Sequence, residues 1–454
     1  MAKLFGTDGM RGEAGRFPLD AATIHITGWS LARHLTAQLA RAPRIIVGRD
    51  TRESGAWIAQ ALIAGARCVG ADCVSAGIIT TPGVAYLTQH LRADAGVVIS
   101  ASHNPFTDNG IKIFAPTGRK LDDQMERLIE EDIFAARRTD VRPISSSADR
   151  SVEDDSPSAR KLRELYLQHL SDKAADLRLE GLTLVLDCAN GAAFEIAPEL
   201  FARLGARVTA IHNQPDGRNI NRDCGSLHLD SLRRAVLDHG ADVGVAFDGD
   251  ADRALFVDER GNAVDGDAVL WIMAQHMQER AELSANVVVA TVMSNMGLEV
   301  ALRERGIKLL RTPVGDKYVL EELLRTGAAL GGEQSGHIIF PRLSLAGDGL
   351  LTALQVFRVM REKAQSLSEL TFGFTPFPQV LVNIHVREKV PFDEVAAIKA
   401  CAEEMQRALN GQGRLLLRYS GTEPLARIML EGRDRATIEE MAAQLASIIA
   451  RELG

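Results

Sequence analysis

Short apolar runs that end in polar, glycine-containing loops recur along this chain of 454 residues and limit its fold more than any other feature. Residues 45–47 and 97–99 are two of these runs, and both are rich in the β-branched side chains that favour strands. The alanine-rich segment 56–69 follows the first run and has the composition of a helix. Because strand and helix patterns alternate, the sequence predicts α/β domains with mostly parallel sheets, whose polar loops lie at the carboxyl ends of the strands.

Three changes along the chain divide it into four predicted domains. Residues 139–159 are polar, with serine and acidic clusters and no hydrophobic period, and residues 373–379 contain two prolines. Between them, the second and third domains are predicted to meet near residue 256. The predicted domains are 1–155, 156–256 and 257–372, all three α/β, and 373–454, a smaller α+β domain with an antiparallel sheet covered by helices.

The composition excludes several classes of protein. A net charge of −8 speaks against nucleic acid as a partner, since proteins that bind the phosphate backbone usually carry a basic face. The five cysteines form no C-x-x-C pair and their odd number excludes a full disulfide framework, which favours a reducing cytoplasm. No run is long and apolar enough for a signal segment or a bilayer span, so we predict no membrane role.

Residues 97–114 concentrate polar side chains directly after a predicted buried strand. Ser102 falls in the turn after this strand, and His103, Asn104 and Lys112 follow within ten residues. We interpret Ser102 as a covalent carrier, because a hydroxyl on a loop at the end of a strand is well placed for chemistry. The alternative is that Ser102 and Asn104 only form hydrogen bonds within their own turn, and this stretch alone does not decide between the two.

The loop DGDADR places three carboxylates, those of Asp248, Asp250 and Asp252, at alternate positions. The small residues between them allow the loop to curl, so three hard oxygen donors can converge on one divalent cation. A calcium-binding EF-hand is rejected because Arg253 occupies the position that needs glycine and because both flanks are typical of strands. Mg²⁺ is the preferred ion, since it takes few protein ligands plus a phosphate oxygen, here one on a phosphorylated Ser102. The alternative is a solvated acidic turn.

Two further segments carry hydrogen-bonding groups suited to a sugar. GGEQSGH carries Glu333, Ser335 and His337, and its carboxylate and hydroxyl side chains can form hydrogen bonds with neighbouring hydroxyls of a sugar. Its glycines allow close approach of the ligand. TPVGDKYV, residues 312–319, is predicted to form a second exposed loop that carries Lys317.

Two arginine-containing loops are candidates for binding phosphate. FGTDGMRG presents Arg11, a planar donor suited to phosphate or carboxylate, although such a loop often serves only as a turn. RYSGTEPLAR combines hydroxyls, backbone N–H groups and two guanidinium groups, which can cradle a phosphate or belong to an ordinary hairpin. Its candidate residues are Arg418, Ser420, Gly421, Thr422 and Arg427. No Walker loop and no G-x-G-x-x-G motif occurs, so kinase and dehydrogenase functions lack their usual phosphate-binding loop.

The motifs SASHNP, DGDADR, GEQSGH and RYSGTEP, in this order and over essentially the whole length, closely resemble those of the α-D-phosphohexomutase superfamily. The resemblance implies four domains around a central cleft. FGTDGMRG, and the glutamine of GEQSGH, are similar to the branch that acts on amino sugars. That branch implies an isomerase that interconverts D-glucosamine 6-phosphate and D-glucosamine 1-phosphate through an enzyme phosphoserine and a 1,6-bisphosphate. Its product would supply amino-sugar nucleotides and cell-envelope precursors.

The resemblance also implies roles for individual residues. It makes Ser102 the phosphoserine, and one Mg²⁺ is held by the DGDADR carboxylates and the phosphoryl group on Ser102. It makes Lys112 the general acid or base. His103 or His337 is the alternative for that role. Arg11 and Arg253 lie beside the phosphoserine by the same comparison. The implied sugar-binding residues are Glu333, Ser335, His337 and Lys317. Related mutases often carry arginine at the position of Lys317. The implied clamp on the non-reacting phosphate is Arg418, Ser420, Gly421, Thr422 and Arg427.

Three alternative functions remain open from the sequence. The first is a phosphoglucomutase or phosphomannomutase of the same superfamily with relaxed sugar choice. The second is a noncatalytic sugar-phosphate sensor, which would not need Ser102 or the three aspartates, and the third is a magnesium-dependent phosphatase. The expected partner is a small hexosamine phosphate, with no nucleic acid and no membrane, and the sequence leaves open whether the chain forms a homodimer.

Overall fold

The structure of the chain, a computed structural model, describes residues 3–139, 156–420 and 424–454. It divides into two compact units, one formed by Met1–Met293 and Leu309–Phe372 and the other by Ser294–Lys308 and Gly373–Gly454. Most of the predicted linker 139–159, and both Gly421 and Thr422, lie outside the described residues.

The first sheet of the larger unit has six strands in the order β1-β2-β6-β5-β3-β4. β3 lies between β5 and β4 and pairs in parallel with both, whereas β6 returns antiparallel to β5. The strands are β1 (Phe5–Gly6), β2 (Gly9–Glu13), β3 (Arg44–Arg49), β4 (Asp72–Ile78), β5 (Ala95–Ile99) and β6 (Asp108–Phe114). The helices that accompany them are α1 (Ala21–Leu39), α2 (Gly55–Arg67), α3 (Thr81–His90) and α4 (Asp123–Thr139). Asp20 and Thr80 begin α1 and α3 by accepting backbone N–H groups, as N-cap residues do.

The second sheet follows in the order β11-β10-β9-β7-β8. β7 pairs in parallel with β8 and β9, and β10 turns back antiparallel to β9. The strands are β7 (Thr183–Asp187), β8 (Arg207–Ile211), β9 (Val243–Phe247), β10 (Ala254–Asp258) and β11 (Ala263–Val264), and the helices are α5 (Pro157–Lys173), α6 (Ile196–Arg203) and α7 (Asp230–His239). Position 256, near which the sequence predicts a domain boundary, lies within β10. The exact domain bounds stay a prediction.

The third sheet of the larger unit is small and has the order β13-β12-β14-β15. Its strands are β12 (Val287–Thr291), β13 (Lys308–Thr312), β14 (Gly331–Gly332) and β15 (Ile338–Ile339). Helices α8 (Gly266–Glu279), α10 (Asp316–Thr326), α11 (Gly349–Lys363) and α12 (Leu367–Leu370) belong to this part, while α9 (Met296–Glu304) falls in the smaller unit.

The smaller unit has the antiparallel sheet predicted from the sequence, with the order β16-β18-β17. Its strands are β16 (Gln379–His385), β17 (Gly413–Tyr419) and β18 (Leu425–Gly432), and α13 (Ala396–Leu409) and α14 (Arg435–Leu453) supply its long helices. Ile398, Met405 and Leu445 pack with the inner face of the strands in one apolar core. The helices therefore bury the faces that carry these apolar side chains.

The predictions about membrane spans and disulfides can be compared with the structure. Among the described residues, no helix is both long enough and apolar enough to cross a bilayer. None of the five cysteines, all of which the structure describes, is in a disulfide. The cytoplasmic location itself stays a prediction.

Candidate active site

The turn between β5 and β6 delivers Ser102 to the end of the first sheet. Ser102 is fully buried and its φ is 52°, a left-handed conformation that costs a residue other than glycine about 1–2 kcal/mol. Its N–H donates to Ser100 Oγ at 2.9 Å, while its own Oγ donates to Asp248 Oδ2 at 2.5 Å. The hydroxyl thus reaches beyond its own turn to the acidic loop of the second sheet.

The acidic loop connects β9 to β10, as the strand-like flanks of DGDADR predict. Carboxylate oxygens of Asp248, Asp250 and Asp252 lie within 4.8 Å of one another, and none of the three residues is more than 5% exposed. Asp250 Oδ1 and Asp252 Oδ1 are buried without a hydrogen-bond partner among the described residues. Buried carboxylates need partners, so this cluster fits a divalent cation and is not a solvated turn.

The crowding of these carboxylates splits their affinities for protons. Burial, together with the charges of Asp252 and Asp250, raises the pKa of Asp248 well above its usual range. Burial acts in the same direction on Asp252, but Lys112 and His337 outweigh it and hold the pKa of Asp252 well below its usual range.

Lys112, on β6, is a cation that contacts two of these carboxylates. Its Nζ lies 2.8 Å from Asp250 Oδ2, 3.2 Å from Asp252 Oδ2 and 3.0 Å from Asp8 Oδ2. Burial opposes the ammonium charge, but the three carboxylates together raise the pKa of Lys112 well above its ordinary value. In this arrangement Lys112 is protonated.

His103 and two arginines complete the surroundings of Ser102. His103 Nδ1 lies 3.2 Å from Ser102 Oγ and 3.2 Å from Arg253 Nη1. Burial, reinforced by Arg253 and Arg11, lowers the pKa of His103 to about 4, so its ring is neutral at pH 7. Arg11 Nη1 donates to the carbonyl of Ala101 at 3.3 Å, next to the serine. The structure therefore brings all five predicted catalytic residues together.

The GEQSGH segment forms the tight hairpin between β14 and β15. A Cβ atom on Gly336 would lie 2.5 Å from the carbonyl oxygen of Ala254, so glycine is required where the hairpin approaches the strand that follows the acidic loop. This places His337 Nδ1 3.7 Å from Asp252 Oδ1. Burial disfavours the imidazolium, but Asp252 and then Asp316 raise the pKa of His337 to about 9.

Glu333 and Ser335 occupy the same hairpin. Glu333 Oε1 accepts the N–H of Gly315 at 3.0 Å, which ties the hairpin to the segment before α10. Ser335 Oγ is buried and has no hydrogen-bond partner among the described residues. A buried hydroxyl of this kind suits a ligand hydroxyl.

The prediction of a second exposed loop at residues 312–319 is wrong. Helix α10 begins at Asp316, directly after Gly315, whose φ of 131° suits glycine. Lys317 therefore sits on the first helical turn, where its Nζ lies 2.5 Å from Asp123 Oδ1. An acidic residue in the first turn of α10 matches the helix dipole, a signal that the sequence contains.

A cavity of about 400 Å³ lies next to the acidic loop and the hairpin. Its lining includes Asp252, His337, Asp316, Lys317 and Lys120. Lys120 joins the Asp8 loop to the start of helix α10, since its Nζ lies 2.5 Å from Asp8 Oδ1 and 2.7 Å from Asp316 Oδ2. The size suits a small polar ligand.

The smaller unit carries the remaining candidates. Arg418 on β17 stands directly opposite Arg427 on β18, and Arg427 Nη2 donates to Ser420 Oγ at 3.2 Å. Partial burial and the charge of Arg427 lower the pKa of Arg418. Lys389 adds a third cation, whose Nζ donates to the carbonyl of Ser420 at 2.7 Å. Like charges that face each other across strands are destabilising, and an anion relieves them.

Several residues of the site were missing from the predicted set. Asp8 and Lys120 bind the groups described above, and Arg52 and Asn221 bind the backbone of the Ser102 turn. Arg52 was detectable, because the polar residues GRDTR follow a predicted strand in the same way as the Ser102 turn. Asn221 carries no comparable signal.

Comparison with known proteins agrees with this architecture. Four domains of the phosphoglucomutase/phosphomannomutase family match in order: the α/β/α domain I at residues 2–140, domain II at 164–261, domain III at 265–376 and the C-terminal domain at 381–448. A curated relative from Solibacter usitatus, named phosphoglucosamine mutase, is 49% identical over the full length of both chains.

Two solved structures share the fold. A phosphoglucomutase/phosphomannomutase family protein from Burkholderia thailandensis has a TM-score of 0.79 and 24% identity, covering 100% of this chain and 98% of the other. The N-acetylphosphoglucosamine mutase of Aspergillus fumigatus, in complex with GlcNAc-6P and magnesium, has a TM-score of 0.65 and 18% identity, covering 99% and 95%. The predicted α/β fold and superfamily are confirmed, and this chain belongs to the phosphoglucomutase/phosphomannomutase family of α-D-phosphohexomutases.

Proposed function

We propose that this chain is an isomerase that interconverts D-glucosamine 6-phosphate and D-glucosamine 1-phosphate, and that Ser102 carries the transferred phosphoryl group. The observation that supports the carrier role most is the short contact of Ser102 Oγ with Asp248 Oδ2, beside a buried three-carboxylate cluster. The amino-sugar substrate is supported by the 49% identical relative named phosphoglucosamine mutase. Its product would feed amino-sugar nucleotide and cell-envelope precursor synthesis.

One Mg²⁺ is the proposed cofactor, with Asp248, Asp250 and Asp252 as its protein ligands. The hard oxygen donors and the two unpartnered buried oxygens fit it. When bound, Mg²⁺ supplies positive charge that neutralises a transferring phosphoryl group.

The chain's own residues account for the rest of the proposed reaction. Phosphorylated Ser102 transfers its phosphoryl group to the C1 hydroxyl of glucosamine 6-phosphate: the bond from Ser102 Oγ to phosphorus breaks, the hydroxyl proton passes to Ser102 Oγ, and a 1,6-bisphosphate forms. After the bisphosphate turns around, Ser102 Oγ takes the 6-phosphoryl group, its proton passes to the C6 oxygen, and glucosamine 1-phosphate is released. Arg11 and Arg253 lie beside the turn and can disperse the negative charge of the phosphoryl oxygens. The part of Lys112 as general acid or base stays a prediction.

Turnover on three sugars tests the substrate. We expect kcat/KM on glucosamine phosphates to exceed that on glucose or mannose phosphates by at least about tenfold, because a protonated amine is a better partner than a hydroxyl for the Glu333 carboxylate. In Glu333→Gln, kcat/KM should fall by a larger factor on glucosamine phosphates than on glucose phosphates. Equal efficiency on all three sugars would instead favour a phosphomannomutase or phosphoglucomutase, and free phosphate as the main product would favour a phosphatase.

The arginine pair of the smaller unit gives a separate prediction. Arg418→Gln should raise KM for the sugar phosphate about 10- to 100-fold, because one guanidinium of the clamp on the non-reacting phosphate is lost. The free energy of unfolding should stay constant or rise slightly, since the repulsion from Arg427 disappears. Steady-state kinetics and urea denaturation measure the two effects. Arg407→Gln, an exposed arginine on α13 of the same unit, is the control, and an unchanged KM in Arg418→Gln would remove this pair from the clamp.

A further inference from the structure

Arg52 is a completely buried arginine whose charge the proposed reaction does not use. It lies in the loop after β3, and neither Arg52 nor Asp50 has an exposed side chain. Asp50 Oδ2 accepts from Arg52 Nε at 2.8 Å and also from Ser100 Oγ at 2.6 Å. The ion pair therefore fixes the guanidinium plane and is itself joined to the turn that holds Ser102.

The other guanidinium nitrogens of Arg52 donate to main-chain carbonyls of the Ser102 turn. Nη2 donates to the carbonyls of Ser102 and Asn104, both at 2.9 Å. Nη1 donates to the carbonyl of Asp108 at 3.0 Å and also to that of Pro105. One planar side chain thus binds four carbonyl groups between the serine and the start of β6, which a shorter or more flexible cation cannot do.

A second side chain reaches the same backbone from the opposite sheet. Asn221 follows β8, and its Nδ2 donates to the carbonyl of Ser102 at 2.8 Å and to that of Asn104 at 3.1 Å. Gly249, within the acidic loop, leaves room for this contact, because a Cβ atom there would lie 2.5 Å from Ser102 O and 2.9 Å from Asn221 Nδ2. The carbonyl of Ser102 therefore receives one donor from each of the first two sheets.

We propose that Arg52 and Asn221 are a pair of positioning residues, which hold the main chain of Ser102 in its left-handed conformation so that Oγ stays directed at the acidic loop. The proposal rests on the proposed role of Ser102 as the phosphoryl carrier. Both side chains bind the carbonyl group of Ser102, whereas its Oγ contacts His103 and Asp248. A non-glycine residue at φ 52° persists only where its surroundings fix it, and these donors meet that need.

The expected kinetic effect follows from this geometry. A small displacement of the donor atom slows phosphoryl transfer, because transfer depends on alignment, but it leaves the groups that bind the sugar and the distal phosphate in place. Loss of either side chain should therefore lower kcat and leave KM nearly constant. A residue that only stabilised the fold would lower the amount of active protein without changing kcat per active site.

Asn221→Gly is the main test, because Asn221 has a φ of 58° that glycine adopts without strain. We expect kcat to fall about 10- to 100-fold with KM changed less than about threefold. The rate at which a hexose 1,6-bisphosphate phosphorylates Ser102, followed by intact mass, should fall by the same factor. Asn219→Ala is the matched control, because that amide bonds only within its own loop, to Gln214 and Asp216.

Arg52→Lys keeps a cation for Asp50 but cannot reach four carbonyls, so a similar loss of kcat is expected. In the Asn221→Gly background, Arg52→Lys should change kcat by a different factor than it does in the parent, since both side chains bind the same two carbonyls. If Arg52→Lys does not fold, Asn221→Gly alone decides. The inference is overturned if Ser102→Ala is inactive but folded Asn221→Gly keeps the kcat of the parent. It is also overturned if Asn221→Gly changes only KM. An active Ser102→Ala variant overturns the proposed function instead.

Discussion

Ser102→Ala should lose mutase turnover by a factor of at least about 10³, because the phosphoryl group then has no oxygen to which it can be attached. The substitution removes one hydrogen bond to Asp248 and leaves the left-handed backbone in place, so the protein should remain folded. A coupled assay for glucosamine 1-phosphate measures the rate. Intact mass after incubation with a hexose 1,6-bisphosphate measures the phosphoryl group, which the parent should gain and the variant should not.

Ser447→Ala provides the comparison for this result. Ser447 lies on α14 of the smaller unit, where its hydroxyl bonds to a carbonyl of its own helix. It should keep the turnover and the phosphorylation of the parent. If Ser102→Ala interconverts the amino-sugar phosphates as fast as the parent, or if the phosphoryl group maps to another residue, Ser102 is not the carrier.

Asp248→Asn should be the next most damaging change. The amide keeps the shape of the side chain and can still bind Ser102 Oγ, but it removes one of three carboxylate ligands. We expect turnover to fall by a factor of at least about 10² in saturating Mg²⁺, because less charge is then neutralised during transfer. Addition of a chelator to the parent should reduce its turnover to a similar level.

Thermal unfolding separates loss of the ion from loss of chemistry. In the parent, Mg²⁺ at about 100 times its Kd should stabilise the fold by about 2.7 kcal/mol, because the ion binds the folded state and not the unfolded chain. Asp248→Asn should lose most of this shift. Asp230→Asn, an exposed carboxylate on α7, should keep both the shift and the activity. An unchanged response to Mg²⁺ in Asp248→Asn would show that the ion binds elsewhere.

The elements that the sequence predicted best are those whose signal is local. The strands on either side of DGDADR are visible because apolar residues continue up to the first carboxylate and resume after Arg253. The same is true of the strand before Ser102 and of the amphipathic helices of the smaller unit. The strands are buried on both faces and leave continuous apolar runs, whereas the helices bury one face and leave a periodic pattern.

The contacts that complete the site could not be predicted, because they join residues far apart in the chain. Lys120 reaches Asp316 across 196 positions, and Asn221 reaches Ser102 across 119. No local pattern distinguishes such side chains from ordinary surface residues. Proline and glycine precede Lys317 and are typical of a loop, yet Gly315 is the N-cap of helix α10.

The anchoring of the Ser102 turn from two sheets has a consequence for how the reaction proceeds. Thr51 Oγ1 also donates to the Asn190 carbonyl, and Glu53 pairs with Arg218, so the loops of the first two sheets are joined by further contacts besides those of that turn. With Ser102 as the proposed phosphoryl donor, its Oγ is then held in one position. Because both ends of a hexose bisphosphate must reach this one oxygen, the sugar itself must reorient. It then presents first one of its oxygens and afterwards the other to the same fixed position.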